Sequence, residues 1–395
     1  MQGLSSGWKR RDFLASSAGF TASAFLSAPA FSQVRGTTCI EWPFHGAVLH
    51  YRHGRLVEGG LEIEVSGVAP LEYQVTVNGQ PARRSGETFS APVVLRDRIT
   101  ELVAVAEGIL GRQEHRVKVI WDRNSVPRYR FAIDDNGFFL RDIAQQGYRS
   151  LFDCFYLAML RDFHRKYGTK FVLNIYFTTG DDFNLRQFPD RYRSEWADNA
   201  DWLRLAFHAY ADQPDRPYQN APPEKLAADY DLVAEQVLRF AGEQTWTPTT
   251  IVHWGMVLPT ALPVLRQRGV RVLSGYFSKR GSLWDVNYHL DPVRSEYLSR
   301  HDALMDFEAD IVFSKIDVVC NTLPPEKILE TLSRLVEDPN TAEIMDLMTH
   351  EQYFWPFYPR YLADHPQRVE AALRFVTERG YKPVFLHEGF LGVPE

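Results

Sequence analysis

From Tyr129 to its end the chain alternates short β-rich runs with helical stretches, and no other feature restricts the possible folds so much. Strand-like runs fall at 131–133, 171–177, 203–207, 250–254, 271–276, 311–319, 343–348 and 384–386. Helical patterns lie among them at 151–166, 224–240, 261–267, 325–336 and 367–378. Pro222 with Pro223 and Pro324 with Pro325 open two of these, because a first-turn residue needs no amide hydrogen. Gly168, Gly242, Gly269 and Gly380 follow helices as left-handed caps. Repeated β-α units predict a parallel α/β sheet curled into a distorted (β/α) barrel over 127–395. In such a fold the C-terminal ends of the strands share one face, where sites form.

Residues 38–124 are patterned differently. Short alternating runs recur there, as in Leu61 to Val65, Tyr73 to Val77, Glu101 to Val105 and His115 to Ile120. Turn signals such as Asn78-Gly79 separate them, so this segment predicts an all-β sandwich that resembles immunoglobulin-like modules. His45, His50 and His53 crowd its start but lack a matching acidic or Cys partner, so they are expected as surface or core histidines. The polar, proline-bearing stretch from Trp121 to Arg128 predicts a linker.

Residues 1–30 carry Lys9, Arg10 and Arg11 before an uncharged run ending in Ala28-Pro29-Ala30. Twin arginines, a mild apolar run and an A-x-A pattern predict a Tat signal and delivery to the periplasm or beyond, with no membrane attachment after cleavage. The formal charge is −6, and removing that basic leader leaves a more acidic chain. Nucleic acid and anionic lipid are poor partners for it. Three scattered cysteines, Cys39, Cys154 and Cys320, form no disulfide framework.

Polar residues gather at the expected strand ends. Asp134 and Asp135 follow the first, His208 the third, His253 ends the fourth, and His350 follows the seventh. Two adjacent carboxylates repel unless a cation or a raised pKa relieves them. An Asp-Asn-Gly turn or a helix cap accounts for the same stretch. His208 and Asp212, four apart, can share one ion; a polar loop residue is the other reading of Asp212. Aromatic residues accompany the face, namely Trp254, Tyr276, Phe277, Trp284 and the run from Tyr353 to Tyr358. Such rings stack on sugars or fill a core or lid.

These residues resemble the polysaccharide deacetylase family, the NodB-homology domain of carbohydrate esterase family four, from about Tyr129 onward. Ala132 to Asn136 match its Thr-Phe-Asp-Asp-Gly signature, and His208 with Asp212 stand where it has a His-x-x-x-His pair. Val252 to Gly255 match its Arg-Pro-Pro-Tyr-Gly loop, and Leu347 to His350 its Leu-x-His. The resemblance implies Asp134 as general base, His350 as general acid, and Asp135, His208 and Asp212 as ligands of a divalent ion, Zn2+ or another. It implies His253 and Trp254 as substrate contacts, and a carbohydrate substrate that loses an acyl group. A carbohydrate-binding protein without turnover and a metal-independent glycosidase are the rival expectations.

Replacing Arg10 and Arg11 by Lys is expected to leave uncleaved precursor in the cytoplasm. Cell fractionation checks this; normal periplasmic accumulation would remove the Tat assignment.

Overall fold

The computed structural model describes residues 36–109 and 111–389, so the expected leader lies outside the described residues. The chain is a mixed α/β protein with several sheets and an N-terminal region made of strands. Among the described residues no helix is long and apolar enough to cross a membrane. The three cysteines are free.

Two sheets build the first region. Cys39–Trp42, Gly60–Val68, Thr88–Leu95 and Arg83–Ser85 pair in that order, with Arg55–Val57 also on Gly60–Val68. Val48–Leu49, Gly111–Trp121, Ile99–Gly108, Gln74–Val77 and Gln80–Pro81 form the other. Alternate residues point inward, as period-two strands require, so Leu61, Ile63 and Val65 meet Leu102, Ala104 and Val117 in one core. The two-residue hairpin at Asn78 (φ 47°) and Gly79 (φ 79°) has the positive angles its sequence predicts.

The second region holds the parallel strands Leu203–Ala209, Phe171–Tyr176, Arg128–Asn136, Ile344–His350 and Val318–Val319, in that spatial order. Their apolar runs are buried on both faces, one against helices and the other against loop residues such as Ile251, Ile316 and Phe385. A second sheet orders Val272–Gly275, Ile311–Lys315 and Ala303–Asp306. Backbone bonds tie strands of both sheets to the segments between them. Leu205 N donates to Thr245 O at 2.9 Å, Ser274 N to Thr250 O at 2.7 Å, and Asp317 N to Asp346 O at 2.9 Å.

Several elements differ from their sequence pattern. The run at 250–254 forms no strand: Trp254 turns the chain at φ 66°, and His253–Gly255 is a single 3-10 turn. The run at 311–319 breaks into Ile311–Lys315 and Val318–Val319, each on a different neighbour. The run at 384–386 leaves only Lys382–Pro383 as strand, and Leu386–Gly389 is helical. Helix Phe138–Gln146, absent from the expected helices, follows the Asp-Asn-Gly stretch with Gly137 as its N-cap and is closed by Gly147 at φ 63°.

The two regions are locked by buried charge. Arg128 Nη2 donates to Asp122 Oδ2 at 3.1 Å, both side chains being about 1% exposed. Glu343, buried in the second region, accepts from Arg52 Nε at 3.0 Å and Ser125 Oγ at 2.7 Å. Phe44 stacks on Tyr297 with centroids 4.7 Å apart, and Ala47 bridges to Leu304. His50 and His53 lie in this seam beside His301 and Asp302. Burial drives His50 down to about 2 and His53 down to about 4.

These depressed values fix a sign. Below pH ~6.5 the unfolded chain takes up protons that folded His50 and His53 refuse, so stability falls as pH falls. Each contributes a slope of up to about 1.4 kcal/mol per pH unit, from pH ~6.5 down to its folded value. Urea unfolding between pH 4.5 and 7.5 is expected to show this slope, shallower in a His50→Gln, His53→Gln variant. An equal slope in both proteins would remove these histidines from the acid response.

Candidate metal centre

The site starts from two irregularities in strand register. Ile133 pairs with Leu173 and Asn136 with Ile175, so Asp134 and Asp135 together oppose one residue. Likewise Ile175 pairs with Phe207 but Tyr176 with Ala209, which makes His208 an extra residue. Such bulges interrupt the alternation of faces and re-aim side chains. Asp135 sits at φ 60°, a left-handed angle uncommon outside glycine. The bulge, with that angle, brings Asp135 toward the histidines.

Three ligand-type atoms converge there. His208 Nε2 lies 3.2 Å from Asp135 Oδ1, His253 Nδ1 lies 3.3 Å from it, and the two nitrogens are 3.0 Å apart. Their hydrogens can be assigned from the opposite ring atoms. His208 Nδ1 is 2.9 Å from Ile251 O, and His253 Nε2 is 3.2 Å from Asp212 O. A backbone carbonyl only accepts, so both those nitrogens are N–H donors. In the neutral rings the inward nitrogens therefore hold lone pairs, facing a carboxylate oxygen and each other. Three acceptors in mutual contact repel unless a cation or proton lies among them.

The arrangement fits a divalent ion. Nitrogen and oxygen ligands about 2.0–2.1 Å from a tetrahedral ion stand about 3.3 Å from each other. Outer carbonyl acceptors on both imidazoles match the pattern by which proteins orient metal-binding histidines. Electrostatics agrees. Burial opposes charge on Asp135, yet the bonds to His208 and His253 hold its carboxyl well below the usual range. Burial also opposes charge on His208, but Asp134 and Asp135 draw its pKa upward.

The residues singled out from sequence fall as follows. Asp135 and His208 meet in the cluster. The third position is held by His253, expected as a substrate contact, and not by Asp212. The Asp212 carboxylate reaches Tyr176 Oη at 3.4 Å, while its backbone carbonyl orients His253. Asp134 lies on the same strand end and accepts from Asn174 Nδ2 at 2.7 Å. His350 is the register neighbour of Asp134 on the next strand, and its Nδ1 donates to Asn321 Oδ1 at 2.8 Å. Trp254 lies beneath Arg216 at 4.7 Å, and its buried indole N–H meets no protein acceptor.

Tyr176, Asn174, Asn321 and Gln352 were not anticipated. Tyr176 Oη donates to Asp135 Oδ1 and lies 3.2 Å from His253 Nδ1. It ends the strand Phe171–Tyr176, so attention to tyrosine at strand ends would have found it. Asn174 is a polar interruption in an otherwise apolar strand, which is itself a signal.

No protein-family model and no curated protein sequence matches the chain. Among solved structures it is similar to a family 4 acetyl xylan esterase from Clostridium thermocellum in complex with a cobalt ion. That likeness has 11% identity and a TM-score of 0.33, over 66% of this chain and 88% of that one. It is also similar to a 4-alpha-glucanotransferase from Thermococcus litoralis, at 14% identity and a TM-score of 0.40, over 66% of this chain and 39% of that one.

Calorimetric titration with Zn2+ or Co2+ separates the two candidate ligand sets. His253→Ala is expected to weaken binding by more than the roughly 10–100-fold that loss of an outer partner costs. Asp212→Ala retains the backbone carbonyl and is expected to bind nearly as the unaltered protein does. The reverse result would restore Asp212 to the ligand set.

Proposed function

We propose that the chain is a metal-dependent hydrolase that removes acyl groups, acetyl foremost, from an exported or cell-surface polysaccharide or oligosaccharide. One observation carries this reading: lone pairs of Asp135, His208 and His253 converge beside an acid and a base candidate on neighbouring strands. The second region is read as a closed, distorted barrel, and the first as an immunoglobulin-like module. Twin-arginine export to the periplasm belongs to the same proposal.

A divalent ion held by Asp135 Oδ1, His208 Nε2 and His253 Nδ1 would polarise a carbonyl and acidify a water. The residues around it divide the proton work. Asn174 fixes one oxygen of Asp134 through its amide, leaving the carboxylate to take a proton from water. Asn321 accepts from His350 Nδ1, so the imidazolium form of His350 has its Nε2 proton to give to a departing amine or alcohol. Asn174 is itself tied in, since Asn136 Nδ2 donates to its carbonyl at 3.1 Å and Tyr156 Oη donates to Asn136 Oδ1 at 2.9 Å. Exposed Phe357 and half-buried Trp254, Tyr353 and Tyr358 offer faces on which a sugar ring can stack, whereas Phe354 and Trp355 are buried in the core.

Acetate release from a panel of acetylated glycans, with and without chelation, tests the reading. Chelation is expected to abolish turnover, and added divalent ion to restore it. Asp134→Asn and His350→Ala are each expected to keep bound metal and lose about 10²–10⁴-fold in kcat, the usual worth of one acid or base. Turnover that survives both chelation and these substitutions would sink the proposal.

A further inference from the structure

The segment after His350 reaches back to the strand end that carries the two aspartates. Glu351 is completely buried. Its Oε2 accepts from Gly137 N at 2.6 Å and Phe138 N at 2.9 Å, and its Oε1 from Phe139 N at 2.6 Å and Trp355 Nε1 at 3.0 Å. Four donors from two segments thus end on one carboxylate. Three of them are the N-cap amide and the first two amides of helix Phe138–Gln146, which has no side-chain cap of its own. The next residue, Gln352, donates from Nε2 to Asp135 Oδ2 at 3.0 Å. That bond holds the oxygen facing away from the histidines and turns Oδ1 toward them.

We infer that Gln352, with Glu351 behind it, is a positioning residue that holds Asp135 in its ligand geometry. This inference rests on the metal-centre reading above. Asp135 needs such support because its left-handed angle persists only where neighbours over-determine it. Gly137 contributes from the other side. A Cβ there would lie 2.0 Å from Thr179 Oγ1, so the chain passes through a gap only glycine fits. The tie also fixes spacing. His350, Glu351 and Gln352 are consecutive, so the segment that presents the acid candidate also sets the carboxylate of the metal cluster. Acid and cluster are therefore held in one frame.

Gln352→Met keeps length and apolar bulk but removes the donor; Gln352→Ala removes both. Zn2+ titration of full-length protein is expected to show affinity weakened about 10–100-fold in each, as for other outer partners of a metal ligand. Thermal unfolding of the metal-free Gln352→Met protein is expected to match the unaltered chain, which a merely structural role would not allow. Glu351→Gln is expected to weaken Zn2+ binding likewise, together with a lower Tm. Unchanged Zn2+ affinity in both Gln352 variants, while Asp135→Asn loses the ion, would overturn the inference and leave the metal centre standing. Crystal structures of the metal-free proteins give a readout independent of the ion. Asp135 is expected to leave φ 60° or swing from His208 when Gln352 is replaced. An unmoved Asp135 overturns the inference even if the unaltered protein takes up metal. Failure of the unaltered protein to bind any divalent ion overturns the metal reading and, with it, the role assigned here.

Discussion

Three acceptor atoms in contact with no hydrogen of their own between them are unstable by themselves, and the site is organised around that conflict. Asp135 Oδ1, His208 Nε2 and His253 Nδ1 stand 3.0 to 3.3 Å apart because each is held from behind. Ile251 and Asp212 hold the imidazoles through their carbonyls, and Gln352 holds the carboxylate through its amide. The ties are crossed. The carbonyl orienting His208 lies two residues before His253, and the one orienting His253 lies four after His208. Neither histidine can shift without disturbing the segment that carries the other. A buried cluster of this kind is costly when half-satisfied, so its supports are as restrictive as its members.

The surrounding structure bears that restriction in buried polar groups. Glu351 sits without exposure, pushed up to about 7 by burial although backbone amides of Gly137, Phe138 and Phe139 favour its charge. At the opposite end of the same strand Arg128 pairs with Asp122, and Arg130 pairs with Asp346, which also accepts from Ser274 and Ser314. The strand Arg128–Asn136 is thus pinned by ion pairs where it enters and by the metal-type cluster where it leaves. Pairs so buried add little net stability, since the gain in attraction is offset by desolvation.

Much of this was legible in the residues. Alternating runs and Gly-Pro punctuation located most helices and strands from Tyr129 onward, since burial on both strand faces demands apolar runs that sequence cannot hide. Asp135 and His208 stood out because acidic and imidazole groups recur at the ends of several strands that share one face. What stayed hidden depends on register. His253 stands in the cluster where Asp212 was expected, and Asp212 meets His253 through its backbone carbonyl. Every residue has that atom, so it leaves no trace in the residue's identity. Glu351 and Gln352 escaped notice for a related reason. Their partners lie more than 200 positions earlier, and nothing local in Glu-Gln-Tyr announces a contact at that separation.

The two bulges also bear on how such a site can be gained or lost. Asp134 with Asp135, and His208, each occupy places where a strand carries one residue more than its neighbour. Face parity reverses across each of these points, so a single-codon deletion could restore unbroken alternation while leaving the apolar runs upstream intact. Descendants sharing this scaffold but lacking one such codon would keep a core of the same composition and lose the chemistry at once. Divergence here can therefore run through insertions and deletions of length one, a channel that counting substitutions does not see.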